Sequence, residues 1–293
     1  CHILYNATTM CTTWHTLATR DVRLLRWQTE QLCALPHEYL FQNYLRCHDD
    51  IGWGLDYPWL WANLTQGEVP HKYYLNQWFT GRWPGSWARG ELYNDDPRLG
   101  DARVCGTTAS LCGLEAARTP RQQKQAVDCD IMLHAWMLTQ SGIPVIYSGD
   151  EVGRLNDYSY HEDPDKCDDS RYVHRGRFLW EDAEKRDDLK TVQGRLFHAL
   201  RKLEELRAGH EVFRSDADMS VFDTGSDSVL GVCRKYGGEQ LTALFNFSEN
   251  PVAIKNFAKG DTDLYSGTVF GEEQIDLPPY GFAWLYKGAE NDQ

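Results

Sequence analysis

The sequence predicts an α/β fold, in which β-α-β units feed a parallel sheet and a small antiparallel β domain follows. Three observations predict it. Short apolar stretches bounded by breakers recur at residues 1–6, 39–47 and 143–148, with segments of helical period between and after them. Helical period is lost near residue 211, and from there short apolar runs alternate with Gly, Asp, Asn and Pro. The 293 residues, 42% of them apolar, suffice for one large domain or two of ordinary size.

Taken in order, Cys1-His2-Ile3-Leu4-Tyr5-Asn6 reads as a strand. The chain opens inside it on Cys rather than Met, which reads as a fragment of a longer protein. Thr8 to Leu35 reads as one helix: Met10, Trp14, Leu17, Val22, Leu25 and Leu32 are mostly three or four apart, and Pro36 lies just beyond. Tyr39 to Cys47 reads as a buried strand. Residues 53–106 hold six of the eleven tryptophans and read as a long insertion loop. Those tryptophans suit either stacking on sugar rings or packing the loop on itself.

Thr107 to Arg118 and Gln122 to Ser141 read as helices broken near Pro120, with Gly142 as the residue just past the second. Ile143 to Ser148 is a short strand that ends in Gly149-Asp150-Glu151. Asp163, Asp165, Asp168 and Asp169 lie in an acidic stretch without the order of an EF-hand loop, which reads as solvated. Leu189 to Ala208 is helical. Strands are expected around Val221-Phe222, Val229 to Cys233, Leu241 to Phe247, Val252 to Ile254 and Phe282 to Tyr286, with a loose tail over Gly288–Gln293. The expected division is residues 1–209, with the insertion at about 53–106, and a sandwich-like β domain over 210–293.

A net charge of −13 argues against nucleic acid or an anionic membrane as partner and fits a neutral ligand. No apolar run approaches the roughly 18 residues of a membrane span. Nine scattered cysteines without a C-x-x-C pair form neither a disulfide nor a zinc framework. They lean toward a reducing, cytoplasmic setting over a secreted one. No cofactor or metal is implied.

The candidate chemistry lies at strand ends. His48, Asp49 and Asp50 follow the second apolar stretch, and in parallel α/β folds the C-terminal strand end is where ligands bind. The same three residues would also suit a plain polar turn. Read alone, Asp150 and Glu151 could be the acid and base of a hydrolase.

Arg46-Cys47-His48-Asp49-Asp50-Ile51-Gly52-Trp53 resembles the fourth signature region of glycoside hydrolase family 13, in the extended form of its amylosucrase-type members. Gly100-Asp101-Ala102-Arg103-Val104-Cys105-Gly106-Thr107 and Lys166-Cys167-Asp168-Asp169-Ser170-Arg171 resemble two further stretches of that type, and Gly142 to Glu151 resembles the seventh region. The resemblance implies the C-terminal part, about strands six to eight, of a (β/α)8 barrel, followed by the family's β domain. It implies that Asp49 stabilises the transition state, that His48 binds glucosyl hydroxyls, and that Asp50 and Arg103 serve the fructosyl site. Arg171 is implied to close the pocket floor by pairing with an Asp of an early strand, which this chain lacks. Asp150 and Glu151 are implied to be structural. Lys72 stands where that type usually has Arg in an acceptor-binding loop, and the two are not equivalent at a bidentate site.

The implied reaction is retaining transfer of glucose from sucrose to an α-glucan or oligosaccharide, with release of fructose. Such transfer needs a nucleophile and an acid about 5–5.5 Å apart, and the family takes these from strands four and five. No residue of this chain is assigned to either role, so the chain alone is expected to be inactive. Hydrolysis of sucrose or α-glucosides is the alternative within the family. A catalytically silent carbohydrate-binding or assembly relative is the alternative of another class.

Overall fold

The computed structural model describes residues 2–96 and 101–289. Cys1 of the first apolar stretch, Gly100 of the Gly100–Thr107 motif and Glu290–Gln293 of the tail lie outside the described residues. Strand β1 (Ile3–Tyr5) leads into helix α1 (Ala7–Thr19), capped by Asn6, whose side chain accepts from the Thr9 amide at 3.3 Å. The helix expected over Thr8–Leu35 is two helices. Arg20 ends α1 in the left-handed region (φ 60°), and α2 (Arg23–Cys33) restarts where Asp21 accepts from the Arg23 amide at 3.0 Å. Leu17, Val22, Leu24 and Leu25 are buried on both sides of the break, so the apolar period runs through it.

Strand β2 (Leu40–Tyr44) pairs in parallel with β1, Ile3 opposite Leu40. The expected loop after it is largely regular: it holds α3 (Tyr57–Leu64), α4 (Glu68–Phe79) and a hairpin of β3 (Glu91–Tyr93) with β4 (Arg103–Cys105). Asp56 caps α3 by accepting from the Trp59 amide at 2.7 Å. Trp53 stacks on Phe79 with ring centroids 5.7 Å apart and donates to Asn76. Trp53 and Trp78 are buried, whereas Trp61, Trp83 and Trp87 are exposed.

Helix α5 (Thr108–Leu111) is a single turn where a helix to Arg118 was expected; α6 (Pro120–Thr139) starts on a capping box of Thr119 and Gln122. Strand β5 (Ile143–Val145) pairs in parallel with β2, giving the order β1-β2-β5. Gly142 is not the residue next to the α6 cap, which is Gln140. It has φ +107°, and a Cβ there would lie 2.1 Å from the Phe41 carbonyl oxygen, so its work is to lay β5 against β2. Two helices follow in sequence, the single-turn α7 (Trp180–Ala183) and the 18-residue α8 (Val192–Gly209), the latter capped by Thr191.

The remaining strands are β6 (Asp218–Phe222), β7 (Val229–Tyr236), β8 (Glu239–Asn246), β9 (Val252–Lys255), β10 (Thr262–Asp263), β11 (Gln274–Leu277) and β12 (Phe282–Lys287). They form an antiparallel sheet in the order β10-β12-β8-β7-β6 and a β9-β11 pair. Trp284 of β12 is fully buried and donates to the Thr139 hydroxyl at 2.9 Å, which ties the sheet to α6. Arg234 of β7 is also fully buried. It donates to the carbonyls of Thr139 (2.9 Å), Val212 (2.8 Å) and Arg214 (2.6 Å) and to the Ser141 hydroxyl (3.0 Å). Among the described residues no helix is long and apolar enough to cross a membrane.

His15 of α1 and His71 of α4 are buried with ring centroids 5.0 Å apart. Neither ring nitrogen of His15 has a hydrogen-bond partner among the described residues. Burial, and then the nearby His71, pull His15 down to about 3; burial pulls His71 down to about 4. Both rings are neutral at pH 7, whereas the unfolded chain takes up protons as pH falls through 6.5. Stability is therefore fully present above pH 6.5 and falls from there toward about 4, by about 2 kcal/mol per histidine at pH 5. Urea midpoints should drop between pH 7 and pH 5, and the drop should shrink in the His15→Leu, His71→Phe double variant. An equal drop in both proteins would remove these rings as its cause.

Candidate active site

After β2 two consecutive side chains, Leu45 and Arg46, are buried. The Leu45 carbonyl accepts from the Trp14 indole at 2.7 Å. The Arg46 guanidinium meets both oxygens of Asp150, at 3.0, 3.1 and 2.6 Å, and lies 4.2 Å from the centre of the Tyr147 ring. Thr108 donates to the same carboxylate at 2.8 Å. Both partners of the ion pair are within 2% of full burial. Asp150 is thus fully engaged beneath the strand ends, and Glu151 accepts from the Gly149 amide at 2.7 Å. This geometry gives Asp150 a structural task rather than that of a free acid or base.

Above this layer lie His48, Asp49 and Asp50. Ile51 then exchanges two backbone hydrogen bonds with Val104, at 2.7 and 3.1 Å. That bridge brings β4 to the strand end and sets Arg103 3.4 Å from the Asp50 carboxylate. The Asp50 side chain is largely buried, while Arg103 is half exposed. Lys72 takes Asp101 at 3.1 Å and Glu68 at 2.9 Å, and lies over the Tyr57 ring.

The Asp49 carboxylate is half exposed and sits among cationic and imidazole donors. Arg175 approaches at 3.2 Å, Arg171 at 3.4 Å and the His48 ring at 3.4 Å. Arg171, implied by the resemblance to pair with an Asp of an early strand, has a partner within this chain. Asp169, two residues back, takes its guanidinium with two bonds of 2.8 Å, and the Tyr93 ring lies 4.5 Å beneath it. The cause is local: Asp169 caps the 3₁₀ turn Ser170–His174 by accepting from the Arg171 amide. Arg171 in turn holds the Asp169 carboxyl below its usual range.

Two residues escaped the sequence reading. Arg175 donates to the His48 carbonyl at 2.6 Å as well as to Asp49. His174 is buried; its Nδ1 accepts from the Gly106 amide at 3.0 Å, and its Nε2 lies 3.2 Å from the His48 carbonyl. The first contact leaves Nε2 as the protonated, donating nitrogen. Burial, and then the Arg46 charge, push His174 down to about 4, in keeping with a neutral ring that fixes the loop. The available signal was the spacing of Arg171, His174 and Arg175, three basic residues on one turn.

Cys47, His48 and Asp49 place one ligand atom each within 4.8 Å of one another, the one such group among the described residues. Arg171 and Arg175 already face Asp49, and burial pushes the Cys47 thiol up, so the group suits a cation poorly. A carboxylate rimmed by imidazole and guanidinium donors is instead suited to gripping neighbouring hydroxyls and to countering positive charge that develops beside them.

No family model matches the chain. Over 157 residues it is 29% identical to the glucosylglycerate phosphorylase of Escherichia coli (strain K12), a match covering 53% of this chain and 27% of that protein. Its fold is similar to that of sucrose 6F-phosphate phosphorylase from Thermoanaerobacter thermosaccharolyticum, with a TM-score of 0.60 at 16% identity. That match covers 94% of this chain and 47% of the other. It is also similar to α-amylase from H. orenii, with a TM-score of 0.55 at 13% identity, covering 98% and 49%. The chain thus spans about half the length of these solved structures. The structural likenesses support an α/β barrel part followed by a β domain.

Proposed function

We propose that the chain carries the sucrose-binding part of a retaining transglucosylase of the amylosucrase type. The observation that supports this best is convergence. Three motifs far apart in sequence meet at one strand end, through Asp49 with Arg171 and Asp50 with Arg103. In this reading His48 binds hydroxyls of the glucosyl ring and Asp49 stabilises the oxocarbenium-like transition state. Asp50 and Arg103 hold the fructosyl unit. Arg171, steadied by Asp169, closes the pocket floor, so that a single glucosyl unit fits. The strands β1, β2 and β5 stand as barrel strands six to eight, residues 1–209 as the barrel part and 210–293 as the β domain. The nucleophile and general acid come from sequence outside these 293 residues, and an α-glucan or oligosaccharide is the acceptor.

A second reading is phosphorolysis of a sucrose-like glucoside. The named activity of the curated relative favours it, as do two guanidinium groups side by side at Asp49. Hydrolysis is the third reading and a silent binding protein the fourth.

One experiment separates them. The full-length protein is incubated with sucrose, with and without inorganic phosphate, and fructose, glucose, glucose 1-phosphate and insoluble glucan are measured. The expected result is fructose in excess of free glucose, with glucan formed and no dependence on phosphate. Equal glucose and fructose would mean hydrolysis, and phosphate dependence phosphorolysis. The 293-residue chain by itself should release no fructose; measurable release would overturn the placing of the nucleophile and acid outside it.

A further inference from the structure

Asp49 has two carboxylate oxygens, and its surroundings treat them differently. The terminal torsion of an aspartate is broad and roughly twofold, so a half-exposed carboxylate exchanges its oxygens unless its donors tell them apart. Here both guanidinium groups meet Oδ1: Nη2 of Arg175 at 3.2 Å and Nη1 of Arg171 at 3.4 Å. Oδ2 is left to the exposed His48 ring, whose Nε2 lies 3.4 Å away.

The two guanidinium groups are not equal. Arg171 is engaged by Asp169 through two bonds of 2.8 Å, and Asp49 is its longer contact. Arg175 has the opposite balance. Its nearest Asp169 oxygen lies at 3.6 Å, beyond hydrogen-bond range, and its bonds go to residues 48 and 49. Nε donates to the His48 carbonyl at 2.6 Å while Nη2 reaches the Asp49 side chain. One planar fork thus joins a main-chain oxygen to the side chain of the next residue, which fixes the carboxylate against the backbone that carries it.

The same carbonyl has a second donor in the neighbouring residue. Nε2 of His174 lies 3.2 Å from it, while Nδ1 of that ring is taken by the Gly106 amide. A carbonyl oxygen has two lone pairs, and two adjacent residues take both. They stand on a fixed backbone. Asp169 caps the start of the 3₁₀ turn Ser170–His174, and at its end the Arg175 amide donates to the Tyr172 carbonyl at 3.1 Å. The Arg175 guanidinium also lies 5.3 Å from the centre of the Tyr172 ring. An ion pair between exposed side chains has no such hold on the main chain.

We propose, on the reading of Asp49 as the transition-state stabiliser, that Arg175 is a positioning residue: it locks the Asp49 carboxylate through Oδ1, so that Oδ2 is the oxygen presented to the glucosyl unit beside His48. A lysine at 175 would keep a positive charge near Asp49, but a single ammonium has no fork, so it would release either the His48 carbonyl or the carboxylate. Misplacing a catalytic group by about 1 Å can cost about a hundredfold in rate.

The test is a double-mutant cycle on the full-length protein. Fructose release from sucrose is measured with phosphate and an α-glucan both present, so that the donor half of the reaction is followed whichever acceptor is used. Arg175→Lys is expected to lower kcat about tenfold to a hundredfold with KM changed by less than about twofold, and to keep the melting temperature close to that of the unmodified protein. In an Asp49→Asn background, where the oriented carboxylate is already lost, the same substitution should cost less than about threefold. If Arg175→Lys melts too low to assay, Arg175→Gln carries the same cycle. A bystander ion pair would instead leave kcat unchanged, or its loss would multiply independently with that of Asp49, and either result would overturn the proposal. Failure of the underlying reading looks different. An unchanged kcat in Asp49→Asn, or no fructose release by the unmodified full-length protein, would remove the stabiliser itself and the role of Arg175 with it.

Discussion

Asp49→Asn in the full-length protein is expected to lower turnover about a hundred- to a thousandfold, the scale of losing one well-placed electrostatic stabiliser, while the fold is retained. The substitution is nearly isosteric, and the carboxylate is half exposed, so no core contact is lost. What is lost is the negative charge between Arg171, Arg175 and His48. Two neighbouring guanidinium groups would then face the developing cation with nothing between. The loss should appear in kcat rather than KM, because the interaction strengthens only as charge builds. Fructose release at a range of sucrose concentrations, beside a circular dichroism melt, checks both parts. An unchanged kcat would take Asp49 out of the chemistry.

Asp150→Ala is expected to destabilise the chain by about 3–5 kcal/mol, because it leaves the Arg46 guanidinium buried and unpaired. Residues 46 and 150 follow different strands, so the loss should loosen the β2–β5 end of the sheet as a whole. Replacing both partners, as Arg46→Met with Asp150→Leu, should recover most of the stability, since an apolar pair of similar volume often substitutes for a buried ion pair. Denaturant melts of the three proteins are the measurement. A double variant no more stable than Asp150→Ala would mean that the pair does more than neutralise itself.

The legible parts of this molecule were those whose signal is local. The apolar run before His48-Asp49-Asp50, in which β2 ends at Tyr44, the run before Gly149-Asp150-Glu151, in which β5 ends at Val145, and the change of period after 210 are all visible as short apolar runs meeting breakers. The break between α1 and α2 was hidden because no Gly or Pro marks it; Arg20 takes the left-handed conformation usually left to Gly. Helices α3 and α4 were missed because tryptophans and tyrosines fill both their faces, blurring the 3.6-residue period. At the site, motif matching pointed to Asp49, Asp50, Arg103 and Arg171, and the structure brings these together. Arg175 and His174 were missed because they act on the His48 carbonyl, and a backbone acceptor has no letter in a sequence. The pairing of Arg171 with Asp169 was open to view, yet it depends on a capping turn that only the backbone geometry reveals.

Arg234 has a consequence for motion. Its guanidinium, with no exposed surface, is shared between the end of α6, the segment after α8 and its own sheet. Rotating the β-rich part against the barrel part would strip three carbonyls and a hydroxyl from a cation that has no water to replace them, at about 1.5–3 kcal/mol for each such bond. A hinge at that junction is therefore closed off. Whatever opening and narrowing the cleft undergoes falls to the loops on the far side, where Asp49 and Arg103 are half exposed and held by side-chain contacts of 3.2–3.4 Å. The β-rich part serves as a fixed footing, and adaptability is confined to the rim around Asp49 and Arg103.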